Sequence, residues 1–346
     1  ADPCPWPVGS DGSYERTIEP ESYFGTIPYL GVTSDLGFLG ADQVVAGFAV
    51  YLPAFYGATM PADAPTRYHM LDGSFAVGSA TVGAGWRVTP WLAVGASLSY
   101  NYMRIAIKRK LSIVAALTPA GQQPSGEAIM GQQGIGDITM DYVGVDHGVG
   151  WGASLLLTPL GWLSIGVTYL GATDPRFDGE VSLTSRDTKT MQDIFLLLSY
   201  KMPGRLKIEM PYPHTVGVGF SVAPTRWLEV GVDLRMWLYQ VYDLQRVTPV
   251  YDPDEPGNEP LTEESLSQDK DYGMSYEIAG GVLVRPFSAL PGLELMAGLS
   301  FDKSPIPDET FSMDNPSLDS LNLAVGARWA VNASWRVTLS FMSYIY

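Results

Sequence analysis

Residues 92–102, LAVGASLSYNY, alternate at every step. Leu92, Val94, Ala96, Leu98, Tyr100 and Tyr102 share one face of an extended chain, and Gly95, Ser97, Ser99 and Asn101 share the other. Successive strand side chains point to opposite faces, so this period-2 pattern reads as a strand with one apolar face. Residues 227–238, WLEVGVDLRMWL, repeat it. Leu228, Val230, Val232, Leu234, Met236 and Leu238 lie on one side; Glu229, Asp233, Arg235 and Trp237 lie on the other. A helix would scatter those charges around its surface, whereas a strand collects them on one side. Leu293–Phe301, Leu321–Trp329 and the C-terminal ASWRVTLSFMSYIY (333–346) follow the same rule.

Such strands also suit a soluble sandwich, but their length argues otherwise. Many run well beyond the ~5–6 residues of an ordinary strand and match the ~9–11 of a tilted membrane strand. The connections alternate between two classes. Short ones are SDLGFLGAD, RVTPW, TPLGW, APTRW, RPFSALPG and VNASW; long ones are 55–67, 109–137, 170–213, 244–271 and 302–319. Short turns on one side and long loops on the other is the outer-membrane pattern, with the short turns periplasmic. Trp91, Trp162, Trp227 and Trp335 each follow a short turn, where an aromatic girdle belongs.

Composition agrees. The chain has 346 residues, 46% apolar and only 17% charged, below the ~25% charged of soluble proteins. No run of 18 apolar residues occurs, so the sequence contains no candidate helical span. The fold class is therefore all-β, a transmembrane antiparallel β-barrel. A net charge of −16 excludes an electrostatic grip on nucleic acid. The single cysteine, Cys4, cannot form an internal disulfide, and no signal peptide is visible.

Pairing across the six short turns gives twelve strands, at 27–35, 43–54, 71–88, 92–106, 139–158, 163–182, 214–223, 227–243, 274–286, 293–302, 320–330 and 334–345. The polar, Pro-rich residues 1–26 form an N-terminal segment on the long-loop side, and 27–346 form the barrel. By parity both chain ends fall on the long-loop side, which is odd for a barrel with periplasmic termini.

Five passages carry a resemblance. They are IPYLGVTSDLG with VVAGFAVYLPAFYG, WGASLLLTPLGWLSIGVTYLGATDPRFDGEV, IEMPYPHTVGVGFSVAPTRWLEVGVDLRMWLYQVYDLQ, and LELMAGLSFDKSPIPDETFSMDNPSLDSLNLAVGARW with its D-x-S-P-[IV]-P element. In order, these resemble the FadL/TodX family of outer-membrane transporters for long-chain fatty acids and other hydrophobic compounds. The resemblance implies 14 strands and an N-terminal plug, the hatch. This chain would supply strands two to thirteen, making 333–346 the penultimate strand. A genuine 12-stranded barrel is the alternative.

The family implies passive uptake in the bacterial outer membrane, no cofactor and no catalysis. Its partners would be a fatty acid or other hydrophobic small molecule, outer-membrane lipid and lipopolysaccharide. The alternative is a structural barrel subunit binding other envelope proteins without transport. A third reading, a polar diffusion pore, predicts high ion conductance.

Enzymatic readings find little. The outer-membrane phospholipase, a 12-stranded barrel with a Ser–His–Asn site, is the natural rival. Only His69, His147 and His214 exist, and VDHGVGWG around His147 lacks a nearby Ser or Asn. Each histidine reads as structural or loop-exposed. Asp252, Asp254, Glu255 and Glu259 in YDPDEPGNEPLTEES could offer hard oxygen ligands to calcium. The spacing is not an EF-hand, and a solvated acidic loop is the preferred reading, with no metal site.

Alternation places Glu229, Asp233, Arg235, Glu294 and Arg328 in the lumen. Basic residues facing mid-bilayer would cost ~2–4 kcal/mol each. They could brace the barrel or guide a ligand. LSIVAAL (111–117) and QDIFLLLSY (192–200) are greasy where loops should be polar, which marks a binding surface or loop packing. The family's ligand groove between two large loops would correspond to 109–137 and 170–213. Ile113, Val114, Phe195, Leu196 and Leu197 are its candidate contacts. Lys108, Arg109 and Lys270 match places where the family holds basic residues for a carboxylate. The family's lateral opening, a kink in its third strand, would fall at Pro53 and Gly57. Ordinary strand termination is the plainer alternative there.

Overall fold

The computed structural model describes residues 21, 27–37, 43–62, 64–112, 137–185, 201–259, 261–285, 292–312, 317–332 and 335–346. Its first six strands are β1 (Tyr29–Ser34), β2 (Val44–Thr59), β3 (Asp72–Thr89), β4 (Leu92–Ser112), β5 (Asp137–Leu160) and β6 (Leu163–Leu170). The next six are β7 (Arg176–Ser185), β8 (Arg205–Glu209), β9 (Thr215–Thr225), β10 (Leu228–Trp237), β11 (Leu244–Gln245) and β12 (Val247–Val250). The last five are β13 (Gln268–Asp269), β14 (Ser275–Val284), β15 (Leu293–Lys303), β16 (Ser320–Ala330) and β17 (Arg336–Ile345). No described helix is long enough to cross a membrane.

Twelve of these strands form one antiparallel path, in the order β1-β2-β3-β4-β5-β6-β9-β10-β14-β15-β16-β17. They follow the order of the twelve read from alternation, with different bounds at several: β4 runs on to Ser112 rather than 106, and β10 stops at Trp237 rather than 243. The apolar faces point outward and stay exposed: Leu98, Val149, Phe220, Val232, Leu299 and Leu339 are examples. Trp91, Trp162, Trp227 and Trp335 are exposed at the short-turn end. A sheet with its large apolar side chains outside is the inverse of a soluble core and fits a wall facing lipid.

Apart from register shifts close to the short turns, the wall departs from plain alternation in two places. In β2, Tyr51 pairs with Ser79 and Ala54 with Val77, so Leu52 and Pro53 together oppose Gly78. This is a β-bulge, one extra residue on one strand. Proline has no N–H to leave unpaired, which suits the extra residue of a lipid-facing wall. Beyond the bulge β2 continues to Thr59, further than the segment ending at 54 that alternation suggested. The bulge reverses the phase, so Ala54 and Tyr56, rather than their odd-numbered neighbours, join the inner face.

The second departure corrects the expected strand 163–182, which is two strands. The lower half of β5 pairs with β6, and its upper half pairs with β7. Between them lie Gly171–Pro175, where only Thr173 makes an isolated bridge, to Tyr212. Above this break β8 pairs with β7 and β12 with β8. The long connections 170–213 and 244–271 thus contain strands of their own. They extend the wall as a canopy of β7, β8 and β12.

The canopy is held by the main buried core. Phe177 on β7 and Leu206 and Ile208 on β8 meet Met140 and Tyr142 on β5, Met103 and Ile105 on β4, and Phe75 and Val77 on β3. The last four lie on the inner face of the wall, so the canopy leans inward. The Phe177 and Phe75 rings meet edge-on at 6.1 Å. Burying one such side chain contributes on the order of 1.5–3 kcal/mol. The fully buried Tyr142 donates its hydroxyl to the Phe177 carbonyl at 3.0 Å. The outer face of the canopy carries alternating charges: Arg176 faces Glu209, Glu209 faces Arg246, Arg246 faces Glu263, and Arg205 faces Asp178.

The seam between β5 and β7 requires glycine at 179, where a Cβ would run into the Val143 carbonyl and Gly144 backbone. Gly179→Ala should loosen the canopy by about 1–3 kcal/mol, the usual cost of overpacking. Limited proteolysis should then cut at the canopy strands, while the heat-resistant mobility of the barrel on gels stays unchanged.

Candidate functional site

A cavity of about 690 Å³ opens where the canopy meets the lumen. One wall comes from β2 and β3: Ala54, Tyr56 and Gly57, then Gly73, Ser74 and Phe75. Met210, Pro211 and Tyr212 come from the bend below β8. Trp237, Tyr239, Tyr242 and Tyr272 close another side, with Tyr344 of β17 and Tyr346 just beyond it. The lining is mostly apolar and aromatic, with methionine at 60, 70 and 210. That is the composition and size of a small-molecule site.

The aromatic rings form two groups. Tyr56 lies 5.2 Å from Phe75, and Phe75 lies 6.0 Å from Tyr212. Tyr272 meets Tyr242 at 4.9 Å and Tyr239 at 6.0 Å, both edge-on. Burial holds the Tyr212 hydroxyl far above the ordinary phenol range. Burial, with a smaller contribution from the Asp302 charge, raises Tyr239 too. Both stay neutral and act only as hydrogen-bonding tips of apolar bodies.

The charged groups of the cavity lining are Lys270, Asp302 and Lys303, the last paired with Asp319 at 2.9 Å. Lys270 is 2% exposed. Its ammonium donates to Gln268 Oε1 at 3.2 Å and Ser312 Oγ at 3.3 Å, both neutral acceptors. Its backbone is fixed by an N–H bond to the Asp243 carbonyl and by Thr310 Oγ1 donating to its own carbonyl. Asp271 next to it takes a left-handed φ of 46°, so the chain turns sharply just after the lysine. Gln245 and Asp302 also line the cavity.

The other sequence candidates divide. Gly57 lines the cavity, and a Cβ there would lie 2.6 Å from the Gly73 carbonyl oxygen. Pro53 sits in the bulge just below. Arg109 lies on the inner-facing phase of β4. Lys108 lies on the outer phase, opposite Asp72 and Asp141, and pairs with Asp141 at 3.8 Å. Lys108 therefore lines a shallower outer pocket and not the large cavity. Ile113, Val114, Phe195, Leu196 and Leu197 lie outside the described residues.

The lumen charges lie below the cavity and form a ladder. Glu294 bridges Arg328 and Arg285, the latter at 2.9 Å. Glu229 accepts from Ser221 Oγ at 2.7 Å and lies 3.9 Å from Arg285. Higher up, Arg235, Glu277 and Asp302 occupy one rung across β10, β14 and β15, with Arg235 3.5 Å from Glu277. Asp233 lies on the same face, opposite Gly219. Arg285 and Glu277 are partners that sequence reasoning missed; both follow from extending the alternation of β10 across β14.

The acidic loop has its own cation. Lys201, 7% exposed, pairs with Glu259 at 2.9 Å and donates to the carbonyls of Asp252 and Glu255 at 3.2 Å each. Its ammonium also stands 5.5 Å from the Tyr251 ring. Among the described residues no group of three or more acidic, His or Cys side chains could hold a metal ion. His147 and His214 pair with Tyr100 and Tyr169, each through Nδ1 at 2.6 Å. His69 is exposed in a turn. No described histidine has the partners of a catalytic base.

The cavity tyrosines and Lys201 were not singled out in the sequence. The one available signal was an aromatic between prolines, as in Pro211-Tyr212-Pro213, where neither alternation nor a turn explains a tyrosine.

Comparison with known proteins gives a consistent result. The family model described as outer membrane protein transport protein (OMPP1/FadL/TodX) matches residues 26–345. A FadL homologue from Pseudomonas aeruginosa has a similar fold, with a TM-score of 0.75 and 12% identity over 91% of this chain and 68% of that one. The CymD monoaromatic hydrocarbon channel gives 0.64 and 15%, over 95% and 80%. The Pseudomonas putida toluene transporter TodX gives 0.59 and 17%, over 91% and 76%. No curated protein sequence matches the chain.

Replacing Lys201 by Met should release the 251–259 loop, because its carbonyls and Glu259 lose their shared donor. Protease sensitivity within 251–259 is the measurement. Calcium should leave the native loop unchanged by the same measure.

Proposed function

The chain belongs to the OMPP1/FadL/TodX family of outer-membrane transport proteins, and on that premise we propose that it takes up a hydrophobic molecule with one polar or acidic end. Long-chain fatty acids are the first class to test. The observation that carries this reading is the aromatic cavity with Lys270 at its wall. An apolar body would lie against Tyr56, Phe75, Tyr212 and Trp237. A carboxylate would accept a charge-assisted hydrogen bond from Lys270, stronger than those to the neutral Gln268 and Ser312.

Capture would begin on the greasy segments of the long loops, 109–137 and 170–213, with Ile113, Val114, Phe195, Leu196 and Leu197 as contacts. Passage down the lumen is unfavourable for an apolar molecule, because the next surface is the ladder of Glu229, Arg285, Glu294 and Arg328. The exit we propose is sideways, through the wall at the bulge of Leu52 and Pro53, beside cavity residues Ala54 and Gly57. The movement is passive: it needs only that the molecule be more stable in each successive site and finally in the bilayer.

A small aromatic passenger is a second reading. The number of rings in the lining favours it, and two structural relatives are described as a monoaromatic hydrocarbon channel and a toluene transporter. A structural barrel without transport is a third.

Titration calorimetry with oleate, toluene and a neutral long-chain alcohol separates the three. Oleate should bind at one site, and Lys270→Met should weaken it about tenfold, the size of one charge-assisted hydrogen bond. The alcohol should change less. Tighter binding of toluene than of oleate selects the aromatic reading, and binding of none removes transport.

Deleting Pro53 should restore a continuous ladder between β2 and β3. Oleate uptake by cells should then fall sharply while binding to the purified protein remains measurable. Unchanged uptake would rule out an exit at the bulge.

A further inference from the structure

The outward face of β4 changes character as it climbs. Leu92, Val94, Leu98, Tyr100 and Tyr102 are succeeded by Arg104. A tilted membrane strand climbs ~2.5 Å per residue, so Leu92 to Tyr102 spans about 25 Å, the height of the apolar band of an outer-membrane barrel. Arg104 therefore stands at the polar boundary of the leaflet on the long-loop side. In outer-membrane barrels that side faces outward.

Arg104 is exposed and has no ion pair or hydrogen bond among the described residues. Its neighbours on that face are uncharged: Ala76 across on β3, Val145 across on β5, and Tyr102 and Ala106 along its own strand. Lys108, two outward positions higher, is different, with Asp72 and Asp141 on either side. The charged groups of the canopy face are likewise matched with opposite charges. An arginine in a neutral frame at a headgroup boundary attracts an anion, and its planar fork fits a phosphate with two parallel bonds.

Just below it lies a flat aromatic and imidazole cluster. The His147 ring stacks on Tyr100 at 5.9 Å and tilts against Tyr102 at 5.3 Å. The Tyr100 hydroxyl and His147 Nδ1 share a hydrogen bond of 2.6 Å, which fixes the rings side by side. Such a surface is apolar below and polar at its tips, and it suits the junction between acyl chains and a sugar.

We propose that Arg104, with Tyr100, Tyr102 and His147, is a binding site for a phosphorylated glycolipid of the outer leaflet. The phosphate takes the guanidinium and the amide-linked sugar lies over the rings. This site is on the outside of the barrel, separate from the cavity that holds Lys270.

Native mass spectrometry of the purified full chain tests it, with diphosphorylated lipid A, dephosphorylated lipid A and phosphatidylglycerol added in turn. Lipid A should bind one to one. Removing its phosphates, or making Arg104→Gln, should each lower occupancy about tenfold. Arg226→Gln, a cation in a short turn at the opposite end, should change nothing. Equal occupancy with and without phosphates overturns the proposal on the native protein, whatever the variants do. Equal binding of phosphatidylglycerol overturns the glycolipid assignment, and unchanged binding by Arg104→Gln overturns the site. Oleate binding should be the same in Arg104→Gln as in the native chain.

Discussion

A backbone amide in hydrocarbon has no water to turn to, and this constraint shapes the whole molecule. Within the wall each strand runs beside a neighbour that takes up its backbone groups, and twelve strands follow one path. It also explains why charge is confined to one face. Glu229, Asp233 and Arg235 share the lumen phase because the other phase faces lipid. Once inside they satisfy one another, and the same requirement recruits Arg285 and Glu277 from the next strand.

Above the bilayer the constraint is relaxed, and the chain uses that freedom. Three strand lines break above the wall, at 171–175, 210–214 and 238–243. Beyond the break the wall can lean inward because water and side chains can serve its free groups. The lean buries Phe177, Leu206 and Ile208 against the inner wall, and the cavity lies where this layer meets the lumen. The site is thus a consequence of where the wall is allowed to bend.

Alternation made the wall legible in the sequence, because lipid on one side imposes a period that no soluble context would mask. Turn lengths made its polarity legible too. The canopy was not legible. Its strands are short, and β8 and β12 pair with partners far away in sequence. The β6 and β7 lines read as one strand because the alternation resumes beyond Pro175. Lys270 is singled out only by the family resemblance, and its burial cannot be read from QDKDYG. The cavity tyrosines sit on irregular segments, where no period exists to be read. Lys108 shows the converse limit: a cation beside Arg109 in sequence lies on the opposite face of the wall.

The single extra residue in β2 also bears on how the barrel is assembled. Strands β2 and β3 zipped together from the short-turn end of the wall meet correctly through Tyr51 and Ser79, then must skip one position. A chain that failed to skip would turn Tyr56 towards lipid and Phe55 towards the lumen. Nothing in the lower half of the hairpin penalises that error. The penalty comes from above, where Tyr56 packs on Phe75 and Phe75 on both Phe177 and Tyr212. The ring cluster that lines the cavity thereby also favours the observed register of the wall, so one set of side chains shapes the cavity and fixes the pairing below it.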